Sequence, residues 1–352
     1  MKVALITDTH FGGRGDSIPF DLYFKRFYSE VFFPKLDELG INRVIHLGDC
    51  FDRRKFINFN SLKSCREYFF DELRQRDIRV DMLVGNHDTY FKNTNDVNSP
   101  ALLLTDYTNI QPISKPSIIN VDGLEIVMMP WICSENYAEC LDVINATTAP
   151  VLFGHLELAG FVMHKGMPNE GGMDAKIFSK FDLVCSGHFH HRSSDGNIVY
   201  LGNPYPLTWN DFDDPRGFHI FDTETLQLEF IQNPFEMFTK ILYDDSKIDY
   251  DEIDCSIYAN QMIKLIIINK TDFYKFDKFL DRLYKQNPLE LKIIEDFSEF
   301  EAEALGDDDL DLEDTLSLLN GFVDGVETDA DKSRIKTLLK DLYLEAQYNE
   351  AA

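Results

Sequence analysis

The chain has 352 residues, of which 44% are hydrophobic and 13% aromatic, with 19 Gly and 13 Pro. At roughly 100–200 residues per domain, this length predicts two or three folded units, and the composition excludes a largely disordered, collagen-like or low-complexity chain. The formal net charge of −27 argues against a nucleic-acid partner, because DNA binding is largely the neutralisation of phosphates by Lys and Arg.

The negative charge is concentrated towards the C-terminus. Residues 1–99 hold 15 Lys and Arg against 15 Asp and Glu, whereas residues 290–331 hold one Lys and 16 acidic residues. The charge argument against nucleic acid is therefore weaker for the rest of the chain. The six cysteines form no C-x-x-C pair, and the first apolar run is too short for a signal peptide. We expect a protein of a reducing cytoplasm.

The first third of the chain alternates short β-rich runs with helix-like runs. Strands are predicted at residues 2–7, 43–47 and 79–84, and helices lie between them near residues 20–39 and 59–74. This alternation is typical of an α/β layered fold. From about residue 118, five further strands with fewer helices between them predict a second, mixed or antiparallel sheet: 124–129, 151–153, 183–185, 198–201 and 217–221.

These patterns predict an α/β fold in which two sheets form a β-sandwich flanked by helices. After Asn233-Pro234 the order strand, strand, helix, strand predicts a separate small α/β domain at residues 234–296. The predicted domains are therefore 1–233, 234–296, an acidic linker at 297–309, and a helical segment at 310–352. The last segment is expected to hold helices near 310–320 and 331–348.

A polar cluster follows each of five predicted strands. The clusters are Asp8-Thr9-His10, Gly48-Asp49-Cys50-Phe51-Asp52, Gly85-Asn86-His87-Asp88, Gly154-His155 and Gly187-His188-Phe189-His190. A single cluster could be an ordinary turn, but five that each carry a metal ligand favour a site at the carboxyl ends of the strands. Carboxylate, amide and imidazole ligands suit divalent ions such as Mn²⁺, Fe²⁺ or Zn²⁺. In an extended chain, the spacing of Asp8 and His10, and of His188 and His190, would place each pair on one side.

The five clusters match, in order, the pattern of the calcineurin-like metallophosphoesterases, which is D-x-H, G-D-x-x-D, G-N-H-D/E, G-H and G-H-x-H. The chain further resembles the SbcD-type double-strand-break repair nucleases in Pro130-Trp131, Gly202-Asn203-Pro204 and Asp214-Pro215-Arg216-Gly217-Phe218. This resemblance implies a two-sheet metallophosphoesterase fold and a metal-dependent DNA nuclease. It also implies that the small α/β domain at residues 234–296 is a capping domain that faces DNA.

The resemblance also implies which side chains bind metal. One ion would be bound by Asp8, His10, Asp49 and His190, and the other by Asp49, Asn86, His155 and His188. Asp49 would bridge two divalent ions, for which Mn²⁺ is expected and Mg²⁺ is the alternative. His87 matches the general acid of the family, and Asp88 is expected to orient its ring by a hydrogen bond. Arg53, Arg54 and Lys55 follow the second cluster, and they either bind flanking phosphates or form a solvated turn.

The functional hypothesis is a DNA exonuclease or endonuclease that acts with an SMC-type ATPase subunit in recombination and repair. The alternatives are a phosphodiesterase or phosphatase of the same fold with a non-DNA substrate, and a scaffold that only binds. The resemblance implies a homodimer through helices near 59–74 and 99–107, in which Leu62, Phe69 and Leu73 could form an apolar stripe, unless that stripe packs on the chain's own sheet. It also implies that the C-terminal helices dock on the ATPase.

Overall fold

The computed structural model describes residues 1–164, 167–169, 171–295, 323, 332, 334–336 and 338–339. The chain divides into two units, Met1–Asp296 and Phe297–Ala352. The predicted acidic linker at 297–309 lies outside the described residues. The predicted helices of the segment 310–352 lie outside them as well, apart from the few positions given above. The predicted domain boundary near residue 233 stays a prediction.

The strands are short and are spread along the whole first unit. In chain order they are β1 (Lys2–Ile6), β2 (Arg43–His46), β3 (Arg79–Leu83), β4 (Ile110–Ile113), β5 (Ser117–Val121), β6 (Leu124–Met129), β7 (Val151–His155), β8 (Val162–His164), β9 (Met167–Pro168), β10 (Leu183–Gly187), β11 (Ser193–Asp195), β12 (Ile198–Tyr200), β13 (Gly217–Asp222), β14 (Leu228–Gln232), β15 (Phe238–Asp244), β16 (Met262–Asn269) and β17 (Glu290–Ile294).

The α-helices lie at Ile18–Phe27, Phe33–Leu39, Phe59–Cys65, Asp71–Gln75, Ser99–Leu103, Tyr137–Ala146 and Phe273–Tyr284. A short turn at Gly13–Asp16 precedes them and has left-handed backbone at Arg14, Gly15 and Asp16. π-Helical turns at Tyr28–Phe32 and Arg66–Phe70 continue two of them, so that the predicted helices at 20–39 and 59–74 each form one nearly continuous run. Short 3₁₀ turns occupy Ala175–Phe178, Trp209–Asp211, Tyr250–Glu252 and Cys255–Tyr258. Among the described residues, no helix has both the length and the apolar character that crossing a membrane requires.

Two six-stranded sheets form the body of the first unit. Their strand orders are β14-β13-β1-β2-β3-β4 and β11-β12-β10-β7-β6-β5. The inner face of each sheet contributes to a shared core, in which Val3 and Leu5 of β1 lie with Val151 and Phe153 of β7. Alternate residues of β1, such as Ala4, pack instead against the flanking helices. The predicted sandwich of two sheets flanked by helices is confirmed.

Strand β13 corrects one sequence prediction. The run 217–221 was expected in the second sheet, but β13 pairs antiparallel with β1 in the first sheet, with Val3 opposite Phe221. The pattern of alternating apolar residues does not show which sheet a strand joins, because both inner faces need the same alternation. A separate three-stranded parallel sheet, β15-β16-β17, carries helix Phe273–Tyr284 and its own apolar core.

The apolar stripe predicted for a dimer is buried inside the chain. Phe69 and Leu73 are 0% exposed, and the partly buried Leu62 packs against the same core. That stripe therefore holds its helix on the first sheet. The same helical region and helix Ser99–Leu103 instead expose Phe59 (87%) and Leu102 (65%).

Candidate metal centre

The structure gathers six of the predicted ligands into two groups. Asp8, His10 and His190 form the first ligand group, and Asp49, His155 and His188 form the second. Within each group, one ligand atom of each residue lies within 4.8 Å of the others. The amide of Asn86 lies beside the second group, so all seven predicted metal ligands meet in one place.

The parallel strands of the two sheets position these side chains. In the first sheet, β1, β2 and β3 are parallel neighbours, and Asp8, Asp49 and Asn86 lie just beyond their carboxyl ends. In the second sheet, β7 ends at His155, and His188 directly follows its parallel neighbour β10. The loops after β1 and β2 are joined by main-chain hydrogen bonds, since the amides of Asp8 and His10 donate to the carbonyls of Gly48 and Asp49.

In the first ligand group, the Nε2 atoms of His10 and His190 lie 3.0 Å apart. Oδ1 of Asp8 is 4.0 Å from Nε2 of His10 and 3.9 Å from Nε2 of His190. The main-chain amide of His188 donates to both carboxylate oxygens of Asp8 at 3.1 Å, and the Thr7 hydroxyl donates to Oδ2 at 2.6 Å. The three ligand atoms therefore converge while neighbouring polar groups fix the carboxylate.

In the second ligand group, the ring of His155 is oriented from behind. Its Nδ1 lies 2.8 Å from the carbonyl oxygen of Leu47, which can only accept a hydrogen bond. Nε2 consequently points at the other ligands, 2.8 Å from Oδ1 of Asn86 and 3.2 Å from Oδ2 of Asp49. Nδ1 of His188 approaches the same oxygen of Asn86 at 3.0 Å. A backbone carbonyl behind a histidine is a common support for a metal ligand.

Asp49 belongs to the second ligand group and also approaches the first. Its Oδ2 is 3.2 Å from Nε2 of His155 and 4.0 Å from Nε2 of His10. Its Oδ1 accepts a hydrogen bond of 2.8 Å from the main-chain amide of His87. Burial disfavours the carboxylate charge, but the imidazoles of His155, His87 and His10 outweigh it and hold the pKa of Asp49 well below its usual range.

The pKa values of two further buried ligands, Asp8 and His155, are raised. Burial raises the pKa of Asp8 to about 7, with a further contribution from the charge of Asp49 and an opposing one from His155. Burial favours the neutral ring of His155, but the adjacent carboxylate of Asp49 raises the pKa of His155 to about 9. Without a cation, the site therefore retains protons on groups that would have to lose them to bind metal.

The backbone of the ligand loops is not extended, which corrects the geometry expected from the two-residue spacings. Asp8, His10, Asp49 and His188 have φ values of 51°, 41°, 53° and 84°. Non-glycine residues rarely adopt this left-handed region, and such strain clusters at functional sites. His188 and His190 consequently belong to different ligand groups.

Close packing explains the glycines that precede two of the ligands. A Cβ atom at Gly85 would overlap the carboxylate of Asp49. At Gly48, where φ is 104°, a Cβ atom would lie 2.5 Å from Nδ1 of His155. The glycines in the G-D and G-N-H-D clusters therefore allow the loops to approach each other closely enough for the ligands to meet.

His87 lies beside the first ligand group, and its ring centroid is 4.9 Å from that of His10. The structure corrects the predicted role of Asp88, because the carboxylate of Asp88 accepts hydrogen bonds from the main-chain amides of Gly85, Cys50 and Phe51 rather than orienting His87. Nδ1 of His87 instead lies 2.7 Å from the carbonyl oxygen of Asp52. Asp88 thus stabilises the loops, and burial raises its pKa to about 6.

The three basic residues after the second cluster lie at the edge of the site. Arg53 forms an ion pair of 2.7 Å with Asp16, and the guanidinium of Arg54 donates to the hydroxyl of Thr89 at 3.3 Å. Lys55 is exposed. The Asp16 contact fixes Arg53, so the three cations are not equivalent candidates for binding phosphate.

Sequence reasoning missed one contributor to the site. Trp131 packs beside the second ligand group, with ring centroids 5.1 Å from His188 and 6.1 Å from His155. The sequence marked Pro130-Trp131 only as a family feature. The carboxylate of Asp52 lies 3.5 Å from Nδ1 of His10, behind the first ligand group. From the sequence, Asp52 is expected to support a metal ligand rather than to bind metal itself, and this position behind His10 is compatible with that expectation.

The residues present fit a pair of divalent cations. Imidazole, carboxylate and amide ligands are a set that Mn²⁺, Fe²⁺ and Zn²⁺ accept. Two imidazole Nε2 atoms 3.0 Å apart, beside a buried carboxylate, are the arrangement expected for side chains that share a cation. The same is true of the convergence of His155, Asn86 and Asp49.

Comparisons with known proteins identify similar chains. A model of the family described as calcineurin-like phosphoesterase matches residues 1–192. The chain is 32% identical over 311 residues to "Exonuclease subunit 1" of Enterobacteria phage T4, and this alignment covers 87% of this chain and 88% of that protein. It is 28% identical over 152 residues to "Putative phosphoesterase 244L" of Invertebrate iridescent virus 6, which covers 42% of this chain and 52% of that protein. A solved structure of a dimetal phosphatase from Danio rerio has 12% identity and a TM-score of 0.41, over 62% of this chain and 91% of that one.

Proposed function

Because the chain belongs to the calcineurin-like phosphoesterase family, we propose that it is a nuclease that hydrolyses DNA phosphodiester bonds with two divalent metal ions. One observation carries this proposal, namely that Asp49, a member of one convergent ligand group, also approaches His10 of the other group. The relative in phage T4 is named an exonuclease subunit, and the alignment extends over most of both chains, which supports DNA as the substrate.

The proposed ligands follow the two groups. The first ion would be bound by Asp8, His10, Asp49 and His190, and the second by Asp49, Asn86, His155 and His188. Asp49 would serve both ions because its Oδ2 approaches an imidazole of each group. We propose Mn²⁺ as the metal and Mg²⁺ as the alternative, since the ligand set holds oxygen and imidazole donors.

When bound, two such ions lower the pKa of a water molecule and neutralise phosphate oxygens during in-line attack. His87 would donate a proton to the leaving oxygen as the general acid. It is held for this role by the carbonyl of Asp52 and by its own amide, which donates to Asp49. Of the three basic residues, the exposed Lys55 is best placed to contact a flanking phosphate, whereas Arg53 is engaged by Asp16.

The local charge of the loaded site differs from that of the whole chain. Two divalent ions bring four positive charges against the two carboxylates of Asp8 and Asp49, and the histidine and asparagine ligands are neutral when bound. A phosphodiester is therefore attracted to the site despite the net charge of −27, because the field close to a cleft is set by the nearest charges.

Hydrolysis assays test this proposal. The purified chain, with Mn²⁺ or Mg²⁺, is incubated with end-labelled duplex DNA, end-labelled single-stranded DNA and methyl p-nitrophenyl phosphate. We expect metal-dependent cleavage of DNA, loss of cleavage with a chelator, and loss of cleavage in Asp49→Asn. Asp195→Asn, at an exposed position on β11, is the matched control. Hydrolysis confined to the small ester would favour a non-DNA phosphodiesterase instead.

We also propose an SMC-type ATPase as a partner. The T4 relative is named a subunit, which supports a multi-component enzyme. In the sequence, Ile335, Leu338, Leu339 and Leu342 recur at helical spacing in the C-terminal segment, which favours an amphipathic docking helix. Deleting residues 307–352 should abolish co-purification with the ATPase and leave metal-dependent cleavage of single-stranded DNA. Complex formation by the truncated chain would place the contact elsewhere.

A homodimer is the second proposed assembly. Helices Phe59–Cys65 and Ser99–Leu103 expose Phe59 and Leu102, and exposed large apolar side chains are typical of interaction surfaces. Light scattering at micromolar concentration should give twice the monomer mass, and Phe59→Glu with Leu102→Glu should give the monomer. A monomeric wild-type chain would contradict this proposal.

A further inference from the structure

A cavity of about 510 Å³ adjoins the second ligand group. Its wall includes Trp131, Ile132, Cys133, Tyr137, Glu157 and Met173. Ligand-binding cavities commonly have volumes of about 300–1,000 Å³ and combine apolar walls with a few polar groups. This cavity has the same character, and one of its lining residues, Trp131, also packs against ligands of the second group.

Trp131 connects the cavity to the candidate metal centre. Its ring packs 5.1 Å from the ring of His188, measured between centroids. Its main chain is fixed on both sides, because its amide donates to the carbonyl of Val84 at 2.8 Å. Its carbonyl accepts from the side-chain amides of Asn95 at 2.8 Å and Asn136 at 2.9 Å. The main chain of Trp131 is therefore held in place, and its indole lies between the cavity and the second ligand group.

The chemistry of the wall indicates an uncharged, flat occupant. Trp131 is half-buried, Tyr137 is 47% exposed, and the described residues that line the cavity include neither Lys nor Arg. A second phosphate would require such cations. Aromatic side chains at a nucleic-acid site stack on bases. Glu157 adds one carboxylate, which can accept a hydrogen bond from an N–H group on the edge of a base.

We propose that this cavity binds the nucleobase of the nucleotide whose phosphate occupies the metal centre, with Trp131 as the stacking surface. The inference rests on the proposed function, because the base enters the cavity only when its phosphate lies at the ligand groups. The subsite favours substrates with an unpaired base at the scissile position, since a base held in a duplex cannot stack on a protein side chain.

Tryptophan fluorescence tests the proposal directly. The chain has two Trp residues, so full-length Trp209→Phe leaves Trp131 as the only indole, and Trp131→Phe leaves only Trp209. Each variant is titrated with deoxyadenosine monophosphate and with 2-deoxyribose 5-phosphate in Mg²⁺, which does not quench indole emission. We expect the nucleotide, but not the sugar phosphate, to quench Trp131, and neither compound to quench Trp209.

A second measurement compares the affinities for the nucleotide and for the sugar phosphate. A purely structural role of Trp131 would not change the ratio of these two affinities. Base stacking on an aromatic side chain corresponds to roughly 5- to 100-fold in affinity, so the nucleotide should bind more tightly than the sugar phosphate by this factor. Trp131→Leu should remove the advantage, and Trp131→Phe should keep most of it. Equal binding of the two compounds by the wild-type chain, or an undiminished advantage in Trp131→Leu, would overturn the subsite.

Hydrolysis of methyl p-nitrophenyl phosphate separates the two proposals. If the wild-type chain hydrolyses this ester with metal, but neither the quenching of Trp131 nor the affinity depends on the base, the nucleobase subsite is wrong and the proposed phosphodiesterase activity stands. If quenching depends on the base but no ester and no DNA is hydrolysed, the subsite is supported and the proposed nuclease function is wrong.

Discussion

The Nδ1 atom of His87 lies 2.7 Å from the main-chain carbonyl oxygen of Asp52. A carbonyl oxygen only accepts hydrogen bonds, so Nδ1 keeps its proton and Nε2 is the nitrogen that can gain or lose one. The loop after β2 therefore both orients the ring and selects its tautomer. This arrangement suits a residue that donates a proton to a leaving group.

We predict that His87→Gln retains metal binding but cleaves DNA about 10²–10⁴-fold more slowly, the usual contribution of a positioned general acid. Elemental analysis and single-turnover cleavage measure the two quantities. A p-nitrophenyl ester is the chemical control, because its leaving group needs little protonation and its hydrolysis should slow far less. An equal loss on both substrates would show that His87 does not act as the acid.

We predict that Asp49→Ala lowers bound metal below one ion per chain and lowers hydrolysis by at least about 100-fold, since even residues behind metal ligands contribute 10–100-fold. The reason is that Oδ2 of Asp49 approaches an imidazole of each ligand group. Elemental analysis after dialysis measures the metal, with Asp195→Ala as the control. Two ions per chain in Asp49→Ala would show that Asp49 does not bridge.

The position of the site could be predicted from sequence because its residues follow strand ends. Asp8, Asn86 and His188 each come directly after an apolar run, and parallel strands bring such ends to one edge of a sheet. The left-handed backbone at His10 could not be predicted, because a two-residue spacing fits both extended and turned chains. The structure shows that the tight approach of two loops imposes that turn.

Long-range contacts explain the other differences between prediction and structure. Asp88 is next to His87 in sequence, but its carboxylate is held by three loop amides, and the contact to the ring comes instead from the carbonyl of Asp52. Likewise, the spacing of Phe69 and Leu73 fits an apolar stripe at a dimer interface equally well as a helix that packs on its own sheet. Periodicity shows that a face is apolar but not what covers it.

We predict that metal binding releases protons and weakens as the pH falls. The pKa values of about 7 for Asp8 and about 9 for His155 mean that both groups hold protons in part or in full at pH 7, and a metal must displace them. Calorimetry in two buffers of different ionisation enthalpy should show about one to two protons released per chain at pH 7. Affinity should fall about tenfold per pH unit between pH 9 and pH 7, where mainly His155 must lose a proton, and by up to about 100-fold per unit below pH 7, where Asp8 must lose one as well. Zero proton release would contradict this assignment.

We predict that Arg216→Ala destabilises the metal-free chain by about 3–5 kcal/mol, as expected when one partner of a buried ion pair is removed. The Arg216 guanidinium lies 2.8 Å from the carboxylates of both Asp211 and Asp214, and it also donates to the side chain of Asn203 and to the carbonyl of His190. Urea denaturation measures the free energy of unfolding. Arg216→Lys keeps the charge without the planar fork and should recover only part of the stability.

The last prediction concerns His219, which is 3% exposed on β13 and packs beside the ring of Phe230. Burial, together with the charge of Arg192, lowers the pKa of His219 to about 3. The unfolded chain therefore binds a proton at this position below pH 6.5 while the folded chain does not, so stability decreases as the pH falls from about 6.5 towards 3. This one group should cost about 2 kcal/mol between pH 7 and pH 5.

His219→Leu removes the titrating group, and the difference between its free energies of unfolding at pH 7 and pH 5 should be smaller than that of the wild-type chain by about 2 kcal/mol. Phe218→Leu is the control, because it alters the same buried strand without changing any titratable group. Both variants are measured by urea denaturation in the metal-free state, since metal binding has its own pH dependence. If His219→Leu keeps the wild-type difference between the free energies of unfolding at pH 7 and pH 5, the acid sensitivity arises from other groups, because this variant no longer carries the imidazole.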